Sequence, residues 1–117
     1  MSIDELIESA LAGITYGGAA VPVAHIFYSG TVKTYLRYYT YLDQDESFAD
    51  DAPQDGNNYS TIDIYSDKRD ALKTLLSEIK TRLRAADFTI LPAGPELYET
   101  DSKMFHLPVN ISHEREA

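Results

Sequence analysis

Between Asp67 and Ala86 the chain reads DKRDALKTLLSEIKTRLRAA, and Leu72, Leu75, Leu76, Ile79, Leu83 and Ala86 recur at helical spacing. That period predicts an amphipathic helix over 67–86, with Asp67 as N-cap and Asp70 supporting the first turn. Directly before it, Tyr59-Ser-Thr-Ile-Asp-Ile-Tyr65 alternates apolar and polar. Such alternation belongs to a half-buried strand, with Ile62 and Ile64 on the core face and Tyr59, Thr61, Asp63 and Tyr65 on the other. A strand that runs straight into an amphipathic helix needs a layered fold. The expectation is one small α+β domain over residues 1–117.

The length supports that expectation. A chain of 117 residues makes one domain and buries enough surface for a single core without staples. It has no cysteine, so it carries neither a disulfide framework nor a thiolate metal site. No apolar run approaches the ~20 residues that cross a bilayer. The opening Met-Ser-Ile-Asp-Glu lacks the basic segment of a signal peptide, so the chain is expected to be made and kept in a cytoplasm.

Charge is strongly uneven. The net charge is −9, yet residues 67–86 hold six of the ten basic residues against three acids, a balance of +3 that leaves −12 elsewhere. Nucleic-acid binding needs a basic surface, so the whole-chain charge argues against it. A split of this kind suits a chain that packs against copies of itself or against another protein.

The remaining elements follow in order. Ser2-Ile-Asp-Glu5 is a capping box, and Ile3, Leu6, Ile7, Ala10, Leu11 and Ile14 mark one face of a helix over about 3–12. Gly13 and the pair Gly17-Gly18 stop it. Val21–Tyr28 reads as a short strand whose Pro22 suits an edge or first position. Thr34–Leu42 is β-branched and aromatic, hence a strand. Its Leu36, Tyr38, Thr40 and Leu42 form the core side, and Tyr35, Arg37, Tyr39 and Tyr41 the other. Tyrosine with arginine on an open sheet face is typical of protein interfaces, and equally serves ordinary cross-strand pairing. Phe88–Leu91 makes a strand, Glu96–Tyr98 continues it, and Glu99–Lys103 is a hairpin loop. Met104–Ser112 alternates with Phe105, Leu107, Val109 and Ile111 on the core side. The order is α-β-β-β-α-β-β, a mostly antiparallel sheet with two helices on one face.

A long acidic loop spans residues 43–58. It holds Asp43, Asp45, Glu46, Asp50, Asp51 and Asp55, no base, and one apolar anchor, Phe48. Asp43 and Asp45 have the opening spacing of a calcium loop, but Phe48 stands where its glycine belongs and Gln54 where its closing acid belongs. The loop is either a solvated surface feature or a segment that reaches a neighbouring subunit. On the helix, Arg69, Lys73, Lys80 and Arg84 fall on one stripe. Their stems can cover the rim of the core while their charges stay wet, or the stripe can meet the acidic loop of an adjacent copy.

The sequence offers no familiar catalytic arrangement. His25, His106 and His113 lack metal-ligand spacing, and there is no GxSxG, P-loop or GxGxxG. The carboxylates of 43–55 sit on a polar loop without the burial that tunes an acid. The expectation is a protein that is not an enzyme and that uses no cofactor or metal. Two other readings remain: a small adaptor with an unknown partner, and an enzyme of unfamiliar type using the tyrosines with His25 or His106.

Four blocks together carry a resemblance. They are Pro22-Val-Ala-His-Ile-Phe-Tyr-Ser-Gly30, the aromatic Thr34–Leu42, the acidic Phe48-Ala-Asp-Asp51, and Ile62-Asp-Ile-Tyr-Ser66 followed at once by the helix. This pattern, over roughly residues 20–90, resembles the tail-completion or tail-terminator proteins of long-tailed phages and prophages. The resemblance implies a structural virion protein at the head-proximal end of the tail, made in the host cytoplasm. It implies a homohexameric ring that caps the tail tube, ends its polymerisation and meets the head-completion proteins. An acidic lumen would let DNA pass without gripping it. A head-to-tail ring needs two different complementary patches per copy. The expected pair is Asp43, Asp45, Glu46, Asp50, Asp51 and Asp55, anchored by Phe48, against Arg69, Lys73, Lys80 and Arg84. No membrane and no sequence-specific nucleic acid enters this expectation.

Overall fold

The first helix, α1, spans Ile3–Leu11 in the computed structural model, which describes residues 2–42, 57–92 and 94–114. Its capping box forms as the sequence predicts. Ser2 Oγ accepts from the Glu5 amide at 3.1 Å, and the Ser2 amide donates to Glu5 Oε1 at 2.9 Å. The far end of α1 has no basic residue of its own. Arg82 of the second helix supplies one, donating to the carbonyls of Ala10 at 3.2 Å and Ala12 at 2.7 Å. A cation there satisfies orphan carbonyls and complements the helix dipole.

Gly17 and Gly18 do more than stop a helix. Both have positive φ, 61° and 82°, and they join β1 (Thr15–Tyr16) to β2 (Ala19–Ala20) in a two-residue hairpin. Only residues free of a Cβ hold that turn without strain. This hairpin is an addition to the expected element order.

The main sheet has six strands. β3 (Val23–His25) lies at one edge, followed by β4 (Tyr35–Leu42), β5 (Asn57–Ser66) and β8 (Met104–Glu114). β6 (Thr89–Ile90) and β7 (Leu97–Glu99) share the outer edge of β8. All pairings are antiparallel except β3 with β4, which run parallel from Val23 opposite Leu36 to His25 opposite Tyr38. The expected strand over Val21–Tyr28 therefore shrinks to three residues. Its continuation fails at Ile26, which sits at φ 69°, a left-handed conformation that turns the chain off the sheet. The path through 27–34 then returns to start β4 beside β3. β5, in turn, begins two residues inside the expected acidic loop.

The second helix, α2, spans Arg69–Ala85. Its N-cap is Lys68, with no side-chain cap bond, rather than the expected Asp67. β5 runs on through Ser66, and Ser66 Oγ accepts the amide of Lys68, just ahead of the helix, at 3.1 Å. Both helices pack on one sheet face. Leu36 and Tyr38 of β4, Ile62 and Ile64 of β5, and Val109 and Ile111 of β8 meet Ile7 and Leu11 of α1 and Leu72, Leu75, Ile79 and Leu83 of α2. Each such side chain contributes about 1.5–3 kcal/mol by leaving water. Two polar bonds fix α1 across this core: Thr40 Oγ1 donates to Asp4 at 2.7 Å, and the Tyr38 hydroxyl donates to Glu8. The fold class is thus α+β, a mostly antiparallel sheet with two helices on one face.

Between β6 and β7 the chain stays on β8 without forming a ladder. The amides of Leu91 and Gly94 reach the carbonyls of Asn110 and Pro108 at 2.9 and 3.0 Å, while Pro92 and Pro95 have no amide to give. Gly94 passes so near that a Cβ there would overlap the Pro108 ring.

Candidate functional site

Among the described residues, the helices cover one side of the sheet and leave the other to the sheet's own side chains. β4 contributes Tyr35, Arg37, Tyr39 and Tyr41 to that second face. Across the register stand Tyr65, Asp63, Thr61 and Tyr59 of β5, then His106, Pro108, Asn110 and Ser112 of β8. The alternation read from Tyr35–Tyr41 and Tyr59–Tyr65 is therefore correct residue by residue, and the two strands' polar sets lie side by side.

Four rings form a ladder across the strands. Tyr28 stacks on Tyr35 at 4.3 Å, Tyr35 on Tyr65 at 5.0 Å, and Tyr65 on His106 at 4.3 Å. A second group, Tyr39, Tyr41 and Tyr59, has centroids 6.1–6.2 Å apart from ring to ring. Stacked rings hide their faces in one another and present edges and hydroxyls outward. The face is thus an amphipathic plate, with Tyr39 41% and Tyr41 48% exposed.

At the centre of the plate lies a polar cluster. Asp63, only 5% exposed, has His106 Nε2 at 2.8 Å and Arg37 Nη2 at 3.5 Å. Arg37 also donates to the Tyr65 hydroxyl at 2.6 Å, and its guanidinium lies 4.9 Å from the Tyr65 ring centre. Beyond His106, Nδ1 is 3.8 Å from a Glu99 oxygen. Below the cluster, Thr61 Oγ1 donates to Asn110 at 3.0 Å. Burial, with help from Asp63 and Glu99 and against Arg37, pushes the Tyr65 phenol up to about 12. Burial raises Tyr35 as well. These phenols keep their protons through the physiological range; the Tyr65 hydroxyl accepts from Arg37, and both rings serve as packing surfaces. Nucleophilic chemistry would need the opposite shift.

The other two histidines sit apart. His25 is at the β3 edge, 3.5 Å from Asp4 and 5.1 Å from the Tyr38 ring. His113 lies at the helix-side end of β8, edge-on to Phe88 at 4.8 Å, with Nδ1 buried and without a hydrogen bond. Among the described residues, no three histidines, cysteines or carboxylates gather where they could hold a metal, and no helix is long and apolar enough to cross a membrane.

The charged residues expected at a subunit contact divide in two. Asp43, Asp45, Glu46, Phe48, Asp50, Asp51 and Asp55 lie outside the described residues. The basic stripe lies on α2 as expected, but its first member is engaged within the chain. Arg69 grips Glu96 with both arms of its fork, at 2.9 and 3.2 Å. Those bonds hold the Glu96 carboxyl below its ordinary range. Lys73 and Arg84 are exposed and Lys80 is half-buried, and none of the three has an ion pair with a described residue.

What the sequence reading did not reach is the set of links between strands. Asp63 held between Arg37, 26 positions before it, and His106, 43 positions after it, depends on the strand register, and Tyr28 joins the ladder from outside the sheet by stacking on Tyr35. The signal available was the shared polar parity of the two strands, which predicts one face but not the partners. In comparisons with known proteins, no family model and no curated protein matches this chain.

Proposed function

We propose that this protein is a structural virion component that forms a ring on the end of a phage tail tube. The ring ends tube polymerisation and offers the surface to which the head-completion protein docks. The observation that carries this reading is the helix-free sheet face. It is broad, rich in tyrosine with a central arginine, and its ionisable groups are spent on one another, as in a rigid contact plate. The sequence resemblance supplies the setting, and the charge split supplies a means of closing a ring.

In this reading Lys73, Lys80 and Arg84 of one copy meet the acidic 43–55 segment of the next, with Phe48 as anchor. Arg69, held by Glu96, instead fixes the start of α2 to the β7 side of the sheet. Exposed pairs contribute about 0–1 kcal/mol each, so they set register more than affinity.

The test is assembly itself. Purified protein added to polymerising tail tubes should yield tubes of uniform, capped length by electron microscopy. Tubes made without it should run to uncontrolled lengths and fail to join heads. Tubes whose lengths and ends are unchanged by the protein would end this reading.

A further inference from the structure

The parallel ladder between β3 and β4 breaks off at one residue. The Leu36 amide donates to the Pro22 carbonyl and the Ile26 amide to the Tyr38 carbonyl, both at 2.8 Å. The even-numbered residues of β4 thus turn their backbone groups toward β3, and alternation gives Thr40 and Leu42 the same direction, away from β5. The next rung would carry the Thr40 amide to the Ile26 carbonyl. Ile26 instead sits at φ 69°, and among the described residues the Thr40 amide and carbonyl have no backbone partner. A β-branched residue held in the left-handed region costs about 1–3 kcal/mol, and strain of that kind gathers at ligand clamps and switch regions.

The open edge has two unlike flanks. On the helix side, Thr40 Oγ1 donates to Asp4 of α1, and α1 carries Asp4, Glu5 and Glu8 with no base. His25 Nε2 stands 3.5 Å from Asp4, and the Tyr38 hydroxyl is spent on Glu8. On the other side stand the exposed rings of Tyr39 and Tyr41. Where β3 ends, Ile26 and Phe27 are 58% and 70% exposed, the most exposed large apolar residues among those described.

We propose that the Tyr39–Leu42 edge of β4 receives one short extended segment of a partner protein, with a basic residue between two apolar ones. Open amides and carbonyls in strand geometry are matched by another strand. Residues opposite each other across a ladder share a side of the sheet. The guest residue opposite Thr40 therefore points toward the carboxylates of α1, where Lys or Arg fits. Those opposite Tyr39 and Tyr41 point toward the phenols, where a β-branched side chain makes a favourable cross-strand pair. Every described strand of this chain already belongs to a sheet, so a free extended segment comes from a different protein. The edge contact goes beyond the tail reading and does not rest on it.

The probe is a capped synthetic peptide, Thr-Val-Lys-Val-Thr, titrated to millimolar concentration into isotope-labelled full-length protein at low salt and followed by NMR. Saturable amide shifts are expected, largest at Ile26 and across Tyr39–Leu42, with hydrogen exchange of the Thr40 amide slowed on binding. Methylating the backbone nitrogens of the lysine and of the valine after it removes the peptide's donors for either strand direction and keeps every side chain. That change leaves the protein untouched and should abolish the shifts. Asp4→Asn keeps an oxygen for Thr40 and should weaken the lysine peptide about three- to fivefold. Shifts confined to other surfaces, no saturable shift, or equal binding of the methylated peptide would overturn the proposal. So would a Thr40 amide already protected from exchange before peptide is added, or edge shifts that follow protein concentration alone, since these assign the edge to the chain itself or to a second copy. Peptide binding by a protein that leaves tubes uncapped keeps this contact and removes the tail role, and capping without peptide binding does the reverse.

Discussion

A carboxylate as enclosed as Asp63 costs several kcal/mol unless donors surround it. His106 and Arg37 meet that need from the strands on either side, and the arrangement ties β4, β5 and β8 together on the face the helices do not cover. Tyr65 extends the same cluster, and its titration gives a measurable consequence. Folding raises its phenol from an ordinary value near 10 to about 12. The folded state therefore holds this proton more tightly. The stabilisation is complete below about pH 10 and drains as pH rises through about 12, by roughly 2–3 kcal/mol. Urea midpoints should fall above pH 10. Tyr65→Phe should make that fall shallower without abolishing it, because burial also raises Tyr35 and Tyr38. An unchanged alkaline slope in Tyr65→Phe would assign the titration elsewhere. The parity that places Tyr65 on this face is visible in the sequence. Its partners are not, because alternation fixes a side of the sheet while register is settled by the whole core.

Elements follow the same division. α2 and the paired strands β4 and β5 are legible because each repeats its period for seven residues or more. The hairpin of β1 and β2 is too short to show a period, although a glycine pair between short segments is itself a hairpin signal. The early end of β3 could not be read, since a β-branched residue such as Ile26 rarely takes positive φ and only its surroundings make it do so. The joint between α1 and α2 was likewise hidden, because Arg82 looks from sequence like one more solvated base. It caps a helix that begins 79 positions before it in the chain. Arg82→Met keeps much of the stem but loses the fork. It should cost about 1–2 kcal/mol in urea unfolding. Hydrogen exchange should quicken in α1 far more than in β5. Equal acceleration in both would mean that Arg82 supports the whole core rather than this joint.

At the scale of the molecule, charge and apolar surface are set out in separate places. Residues 67–86 carry +3 and the rest of the chain −12. If the exposed cations of α2 set the ring, Lys73→Glu combined with Arg84→Glu should abolish assembly by light scattering while leaving the circular dichroism of the monomer unchanged. Assembly that survives this double reversal would show that the basic stripe only shields the rim of the core. Raising salt should weaken wild-type assembly in the same direction, since exposed pairs are screened within about 8–10 Å.

The margins of the sheet carry a last consequence. One ends in the three residues of β3, and the other is split into two residues of β6 and three of β7, with Pro92 and Pro95 between them. Among the described residues β4 runs past β3 only from Tyr39 to Leu42, so crowded molecules have a short template for zipping strand onto strand into fibres. In the proposed ring, copies of the chain are thereby left to associate through side chains, which can be selective and reversible.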